Sequence, residues 1–277
     1  MNASPIDLRE YLARIGFEGA PEPTLATLER LHALHPAAIP FENLSPFTGE
    51  TPSLDPGALE AKLVRGGRGG WCFEQNLLFS HVLAAIGFRF RRLAARVRWN
   101  VAPDVMTARS HCLLKVHADG SDYIADVGFG GLVLTGPLRI ELGAEQSTPH
   151  ERHRLVDRGG DFRLEADVAG EWQALYDFEM NEAHRADYEV SNWYLANNPT
   201  SHFVNGVVAA RTEPGKRHAL RGNRYSVHHS DGKMDRTFIE NPAEIIALLE
   251  GPFAIRVPRS AKLEEKLAKM IASAPRV

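Results

Sequence analysis

Apolar residues recur every three or four positions through the first third of the chain and every second position through its middle. Leu8, Tyr11, Leu12 and Ile15 share one helical face before Gly16; Ser4 reads as the cap of that helix, with Pro5 at its first position and Asp7 in its first turn. Thr24 opens a second helix carrying Leu25, Leu28 and Leu31 and stopping before Pro36, and Asp55-Pro56 opens a third through Leu59 and Leu63. The segment from Glu74 to Ile86 is apolar on nearly every side and is followed by Gly87, which predicts a central, buried helix. From Leu93 the period changes to two. Leu93, Ala95, Val97, Trp99 and Val101 alternate with Ala94, Arg96, Arg98 and Asn100, as in a half-buried strand.

Further strands are predicted at Cys112 to His117, Tyr123 to Val127, Leu138 to Leu142, Phe162 to Ala166 and Trp172 to Phe178. An antiparallel sheet or small barrel follows. The last third mixes short strands around Phe203 to Ala210 and Thr237 to Ile239 with two helices. One is opened by Asn241-Pro242-Ala243-Glu244; the other runs from about Ser260 with Leu263, Leu267 and Ile271 inward. The class is therefore α+β: a helical third, an alternating third and a mixed third.

Composition narrows the functional range. A chain of 277 residues with 44% hydrophobic and 24% charged residues is an ordinary folding chain, neither disordered nor repetitive. Its 32 Lys and Arg against 35 Asp and Glu argue against a general nucleic-acid surface. Two cysteines, Cys72 and Cys112, do not make a disulfide framework and fit a reducing compartment. The N-terminus has no basic start followed by an apolar stretch, and Leu77 to Phe88 is too short to cross a bilayer. A cytoplasmic protein with no membrane partner is expected.

The most unusual segment is Arg65-Gly66-Gly67-Arg68-Gly69-Gly70-Trp71-Cys72-Phe73-Glu74-Gln75-Asn76, which sets a thiol between a glycine-rich turn and a helix start. Free amides and the positive helix end favour thiolate there. Taken alone, nucleophile and structural thiol are about even readings of Cys72. A base is available at His111. The hairpin Ser110 to Val127 turns at Asp119-Gly120, and centring it there puts Asp126 opposite Leu113, two positions along the same face from His111. His111 and Asp126 are then diagonal neighbours with backbones roughly 7–8 Å apart. The carboxylate can orient one imidazole nitrogen and leave the other for Cys72. The same parity puts Cys112 on the opposite face with Leu114 and Val116, in the core.

Other chemistries fit poorly. No CxxC or HExxH spacing suggests a metal, His228-His229 offers only adjacent side chains, and the glycine run lacks the Lys-Ser/Thr of a phosphate loop. Two Arg-Gly-Gly units between apolar helices make a poor RNA-binding tract. The three groups alone also suit a Cys-His-Asp hydrolase or transglutaminase-like amide transferase, and a non-catalytic binding module is the reading from another class.

The motifs Ile39-Pro40-Phe41-Glu42-Asn43-Leu44, Arg68 to Asn76, Ser110-His111, Asp126-Val127-Gly128-Phe129-Gly130, and Asn192-Trp193-Tyr194 through Pro199-Thr200-Ser201-His202-Phe203 stand in one order along nearly the whole chain. In these the chain resembles the arylamine N-acetyltransferases of the short bacterial form. The resemblance implies a helical bundle carrying the nucleophile over 1–87, a β-barrel carrying His and Asp over 88–200, and an α/β lid over 201–277, around a cysteine-protease-like core. It implies Cys72, His111 and Asp126 as a catalytic triad. Phe41, Phe129 and Phe203 are then the aromatic lining of the acceptor pocket, Gly128 and Gly130 give room near the thiol, and Glu42 and Arg68 form a structural ion pair. It further implies ping-pong transfer from acetyl coenzyme A to an arylamine, arylhydrazine or arylhydroxylamine, no metal, a place in xenobiotic metabolism, and a chain that can form a homodimer. Trp71, where Tyr is frequent, and Ala196, where Ser is frequent, depart from the pattern without removing a reacting atom. The cations Arg98 and Lys233 are candidates for the coenzyme A phosphates.

Overall fold

The computed structural model describes residues 6–273. Helix α1 (Leu8–Ile15) is capped by Asp7, whose carboxylate accepts from the Arg9 and Glu10 amides. Asp7 is therefore the cap rather than a first-turn residue, and Ser4 and Pro5 lie outside the described residues. Helix α2 (Leu25–Ala38) is capped by Thr24 and runs through Pro36 instead of stopping before it. Pro36 lies in the last turn, where its ring forfeits one amide, while Ile39 N still reaches His35 O at 2.7 Å. Strand β1 (Phe41–Glu42) and the short helices α3 (Leu44–Phe47) and α4 (Pro56–Leu59) follow, and α4 continues into a π-helical turn at Glu60–Arg65. Helix α5 (Cys72–Ile86) is buried along most of its length, and Gly87 ends it in the left-handed region at φ 102°.

Strands β2 (Arg89–Val97), β3 (Arg109–Ala118), β4 (Ser121–Ala125), β5 (Leu138–Arg139), β6 (Gln146–Ser147), β7 (Arg152–Asp157), β8 (Phe162–Val168) and β9 (Glu171–Glu182) form an antiparallel sheet in the order β5-β4-β3-β2-β9-β8-β7-β6. It curls into a nearly closed barrel. Its two short edge strands are joined by a side chain: Arg139 N donates to Gln146 Oε1 at 2.7 Å, and Gln146 Nε2 donates to Arg139 O at 2.9 Å. The β2 strand ends at Val97, short of the predicted Val101, because Arg98 turns its guanidinium onto the carbonyls of Ala102, Pro103 and Val105.

Helices α6 (Arg185–Asn197) and α7 (His202–Asn205) lead to strands β10 (Val208–Glu213), β11 (Lys216–Arg221), β12 (Arg224–His229) and β13 (Met234–Phe238), then to helices α8 (Pro242–Glu250) and α9 (Ala261–Ser273). The second sheet has the order β1-β10-β11-β12-β13, so a strand from the helical region forms one of its edges. Asn43 fastens this join: its Nδ2 donates to the carbonyls of Phe203 and Gly206, and its Oδ1 accepts from Val208 N. Phe203 was expected in a strand and is helical instead, because Ser201 Oγ caps its amide and starts α7. Three buried apolar clusters fill the α5 region, the barrel and the C-terminal sheet with its helices.

Candidate functional site

The glycine-rich run passes so close to β1 that its backbone is part of the packing. Gly70 N donates to Pro40 O, and Glu42 N donates to Gly70 O. A Cβ on Gly69 would lie 2.0 Å from Pro40 O, which no side chain can satisfy. Gln75 fixes the same strands from α5 by donating to the carbonyls of Ile39, Pro40 and Gly70. Its Oε1 accepts from His35 Nε2 at 2.7 Å, and His35 Nδ1 accepts from Tyr11 at 2.8 Å. Burial holds His35 down at about 3, so it is the neutral ring these bonds require. At the helix start, Glu74 accepts from Trp71 N and is paired with Lys62 Nζ at 2.7 Å. These contacts place Cys72 at the first position of α5, where first-turn amides have no carbonyl one turn back.

The β3–β4 register pairs Leu114 with Ala125 and Ala118 with Ser121, which is the pairing the Asp119-Gly120 turn predicts. His111 Nε2 meets Asp126 Oδ2 at 2.6 Å, both side chains almost fully buried. The other carboxylate oxygen accepts from Asn76 Nδ2 and Gly128 N, each at 2.9 Å. Burial opposes charge on His111, yet the Asp126 carboxylate, its hydrogen bond and the Cys72 side chain outweigh it and raise the imidazole above its ordinary value. Asp126 is lowered in spite of burial, chiefly by the His111 charge and bond. With Nε2 on Asp126, Nδ1 is the nitrogen left for Cys72, whose Sγ lies 3.7 Å from Ser110 O. Cys112 packs in the α5 core with Leu114 and Val116, and both thiols are free.

The remaining predicted residues surround this row. Gly128 abuts the nucleophile's backbone, where a Cβ would lie 2.8 Å from Cys72 Cα and 2.8 Å from Asn76 Nδ2. Phe129 stands edge-on to His111 with ring centres 5.3 Å apart. Phe41 and Phe203 meet each other at 6.1 Å, Trp71 meets Phe203 at 5.5 Å, and Gly130 faces the Phe41 ring. Glu42 and Arg68 pair at 2.7 Å. Arg98 is buried and donates to three carbonyls, while Lys233 is exposed and paired with Asp231.

Sequence reasoning did not assign roles to Asn76, His32 and Tyr176. Asn76 stands one turn after Cys72 and also donates to Cys112 O and accepts from Val127 N, so one amide ties the thiol's helix to both hairpin strands. Its i+4 spacing from Cys72 was the available signal. Tyr176 lies 5.0 Å from the His111 ring, and burial followed by the Asp126 charge pushes its phenol up. No cluster of three metal-ligating side chains exists among the described residues, and none of their helices is long and apolar enough to cross a membrane.

Residues 24–262 of the chain match a family model described as N-acetyltransferase. The arylamine N-acetyltransferase of Mycolicibacterium smegmatis is 43% identical over 254 residues, covering 90% of this chain and 92% of that protein. The arylamine N-acetyltransferase / N-hydroxyarylamine O-acetyltransferase of Salmonella typhimurium is 35% identical over 90% of this chain and 89% of that protein. The solved structure of Mycobacterium marinum arylamine N-acetyltransferase in complex with CoA superposes with a TM-score of 0.91 at 41% identity, covering 95% of this chain and 99% of that one. The chain belongs to the arylamine N-acetyltransferase family.

Proposed function

We propose that the protein carries an acetyl group from acetyl coenzyme A to an arylamine, arylhydrazine or arylhydroxylamine through an acetyl-Cys72 intermediate. The observation that carries this reading is the 2.6 Å His111–Asp126 bond beside a thiol at a helix start, in a chain of this family. His111 already holds the proton at neutral pH, raised by Asp126 and Cys72, so Cys72 sulfur attacks the thioester carbonyl as a thiolate paired with the imidazolium. The new S–C bond forms, the bond to coenzyme A sulfur breaks, and His111 gives its proton to the departing thiolate. First-turn amides of α5 face the developing oxyanion. The acceptor nitrogen then attacks the acetyl-Cys72 carbonyl and loses its proton to His111, which restores the pair of thiolate and imidazolium. Asp126 stabilises the imidazolium in both halves.

Phe41, Phe203 and Phe129 line the acceptor's approach, Gly130 keeps it clear beside the Phe41 ring, and Gly128 lets the hairpin close on the Cys72 backbone. An arylamine is unprotonated at neutral pH, so flat apolar walls suit it without a carboxylate. On this reading 1–87, 88–200 and 201–277 serve as bundle, barrel and lid with interlocking cores, Cys112 and Leu114 packing in the α5 cluster and Leu44 and Phe47 in the C-terminal one. The enzyme then acts in xenobiotic metabolism in the cytoplasm, a reducing compartment that its two free thiols fit. Incubation with acetyl coenzyme A followed by intact-mass measurement tests the reading: one acetyl group should be gained, map to Cys72, and be absent from a folded Cys72→Ala protein. An active Cys72→Ala protein would sink it.

A further inference from the structure

The β3–β4 ladder ends at Ala125, so the peptide N–H of Asp126 is buried with no strand to pair with. Its acceptor comes from a different part of the fold. Asp126 N donates to Nε2 of His32, on α2, at 2.9 Å. His32 is fully buried and lies edge-on to Phe79 with ring centres 6.0 Å apart. Accepting at Nε2 requires the ring to carry its single proton on Nδ1. Nδ1 is buried and has no hydrogen-bond partner among the described residues, so Nε2 is the one nitrogen of this ring that is engaged. The residue whose amide would claim the His32 carbonyl in a regular helix is Pro36, which has none. The proline in the last turn of α2 thus leaves that carbonyl without its helical donor.

We propose that His32 is a positioning residue for the triad: its Nε2 holds the Asp126 peptide, and through it the carboxylate that orients His111. Both carboxylate oxygens are already committed, Oδ2 to His111 and Oδ1 to Asn76 and Gly128, so the peptide is the remaining handle on this residue. The proposal rests on the reading of Asp126 as the orienting acid. Without the His32 acceptor, the buried N–H must move toward another partner and carry the carboxylate with it.

The test compares His32→Leu, which fills the space without an acceptor, with His32→Gln, whose amide oxygen reaches about as far as Nε2. The full chain is used. His35 and His153, the other titratable rings that face His32, are unchanged in every variant. Single-turnover acetylation of Cys72, the KM for acetyl coenzyme A and the pH profile of Cys72 alkylation by iodoacetamide are measured beside Tm. His32→Leu should lose roughly 10- to 100-fold in acetylation rate, as a misplacement of up to ~1 Å at a reacting group does. Its KM should stay within about twofold and its alkylation inflection should move. His32→Gln should recover most of the rate and the wild-type inflection. A His32→Leu protein with wild-type rate and profile overturns the proposal, as does a His32→Gln protein as slow as His32→Leu. If His32→Leu does not fold, His32→Asn, whose amide stops short of Nε2, takes its place under the same criteria. Failure of the underlying functional reading shows separately, as a wild-type protein that gains no acetyl group on Cys72.

Discussion

Replacing Gly128 with Ala adds one methyl group where the hairpin abuts the nucleophile's helix. Its Cβ would stand 2.8 Å from Cys72 Cα, about 0.6 Å inside ordinary van der Waals contact, and 3.1 Å from Cys72 O. These are helix backbone atoms, so relief must come from moving the 127–130 segment or the start of α5. Either movement stretches the 2.9 Å bonds that Gly128 N and Asn76 Nδ2 make to Asp126. Overpacking of this kind costs about 1–3 kcal/mol, which for a chain of this size lowers Tm by roughly 2–4 °C per kcal/mol. The effect on acyl transfer should be the larger one. A displacement of several tenths of an ångström between sulfur, imidazole and carboxylate should lower kcat by about 10- to 100-fold. Steady-state acetylation of an arylamine, set beside calorimetry, reads both. A Gly128→Ala protein with wild-type kcat would show that Cys72 and Asp126 are not held together by this contact.

Asp126→Asn keeps the hydrogen-bonding shape but favours the wrong imidazole tautomer, and turnover should fall by about 10⁴-fold; near-normal turnover would remove Asp126 from the mechanism. Gln75→Leu strips three carbonyls and His35 of their partner, so chemical denaturation should show a loss of about 2–4 kcal/mol, and an unchanged midpoint would contradict the clamp. Burial holds His32 at about 4, His35 at about 3 and His153 at about 4 against an ordinary 6.5. The unfolded chain therefore binds protons that the folded one refuses, and stability should fall as pH drops below about 6.5, by about 2 kcal/mol per histidine at pH 5. His111 runs the other way: its contribution is complete below pH 6.5 and is lost as pH rises through its elevated folded value. A Tm that stays flat between pH 7 and 5 would refute the acid-side effect.

The hairpin was legible because two independent signals agreed. Asp119 and Gly120 both take positive φ, as the tight turn requires, and the two-residue period then leaves one register. Helix α6 gave no such signal. Its Val190, Trp193 and Tyr194 point largely to solvent, so no apolar stripe marks it. Strand β7 was hidden by its charged outward face, with Arg152, Arg154 and Asp157 around buried His153 and Leu155. The interior polar contacts were the least readable part. His32 and Asp126 are 94 positions apart and His35 and Gln75 are 40 apart, and neither spacing has any period to betray it. Asp7 caps α1 because its carboxylate reaches two amides, a role its place in the sequence did not single out.

The strand Phe41–Glu42 waits a long time for its neighbour, since its partners on β10, Ala209 and Ala210, are made only after the whole barrel. During synthesis the nascent chain can thus bring Cys72, His111 and Asp126 together well before Phe203 arrives to face Phe41. A ribosome stalled before residue 203 would hold a thiol site without its aromatic wall, and the C-terminal sheet expressed by itself would start with a bare edge where β1 belongs.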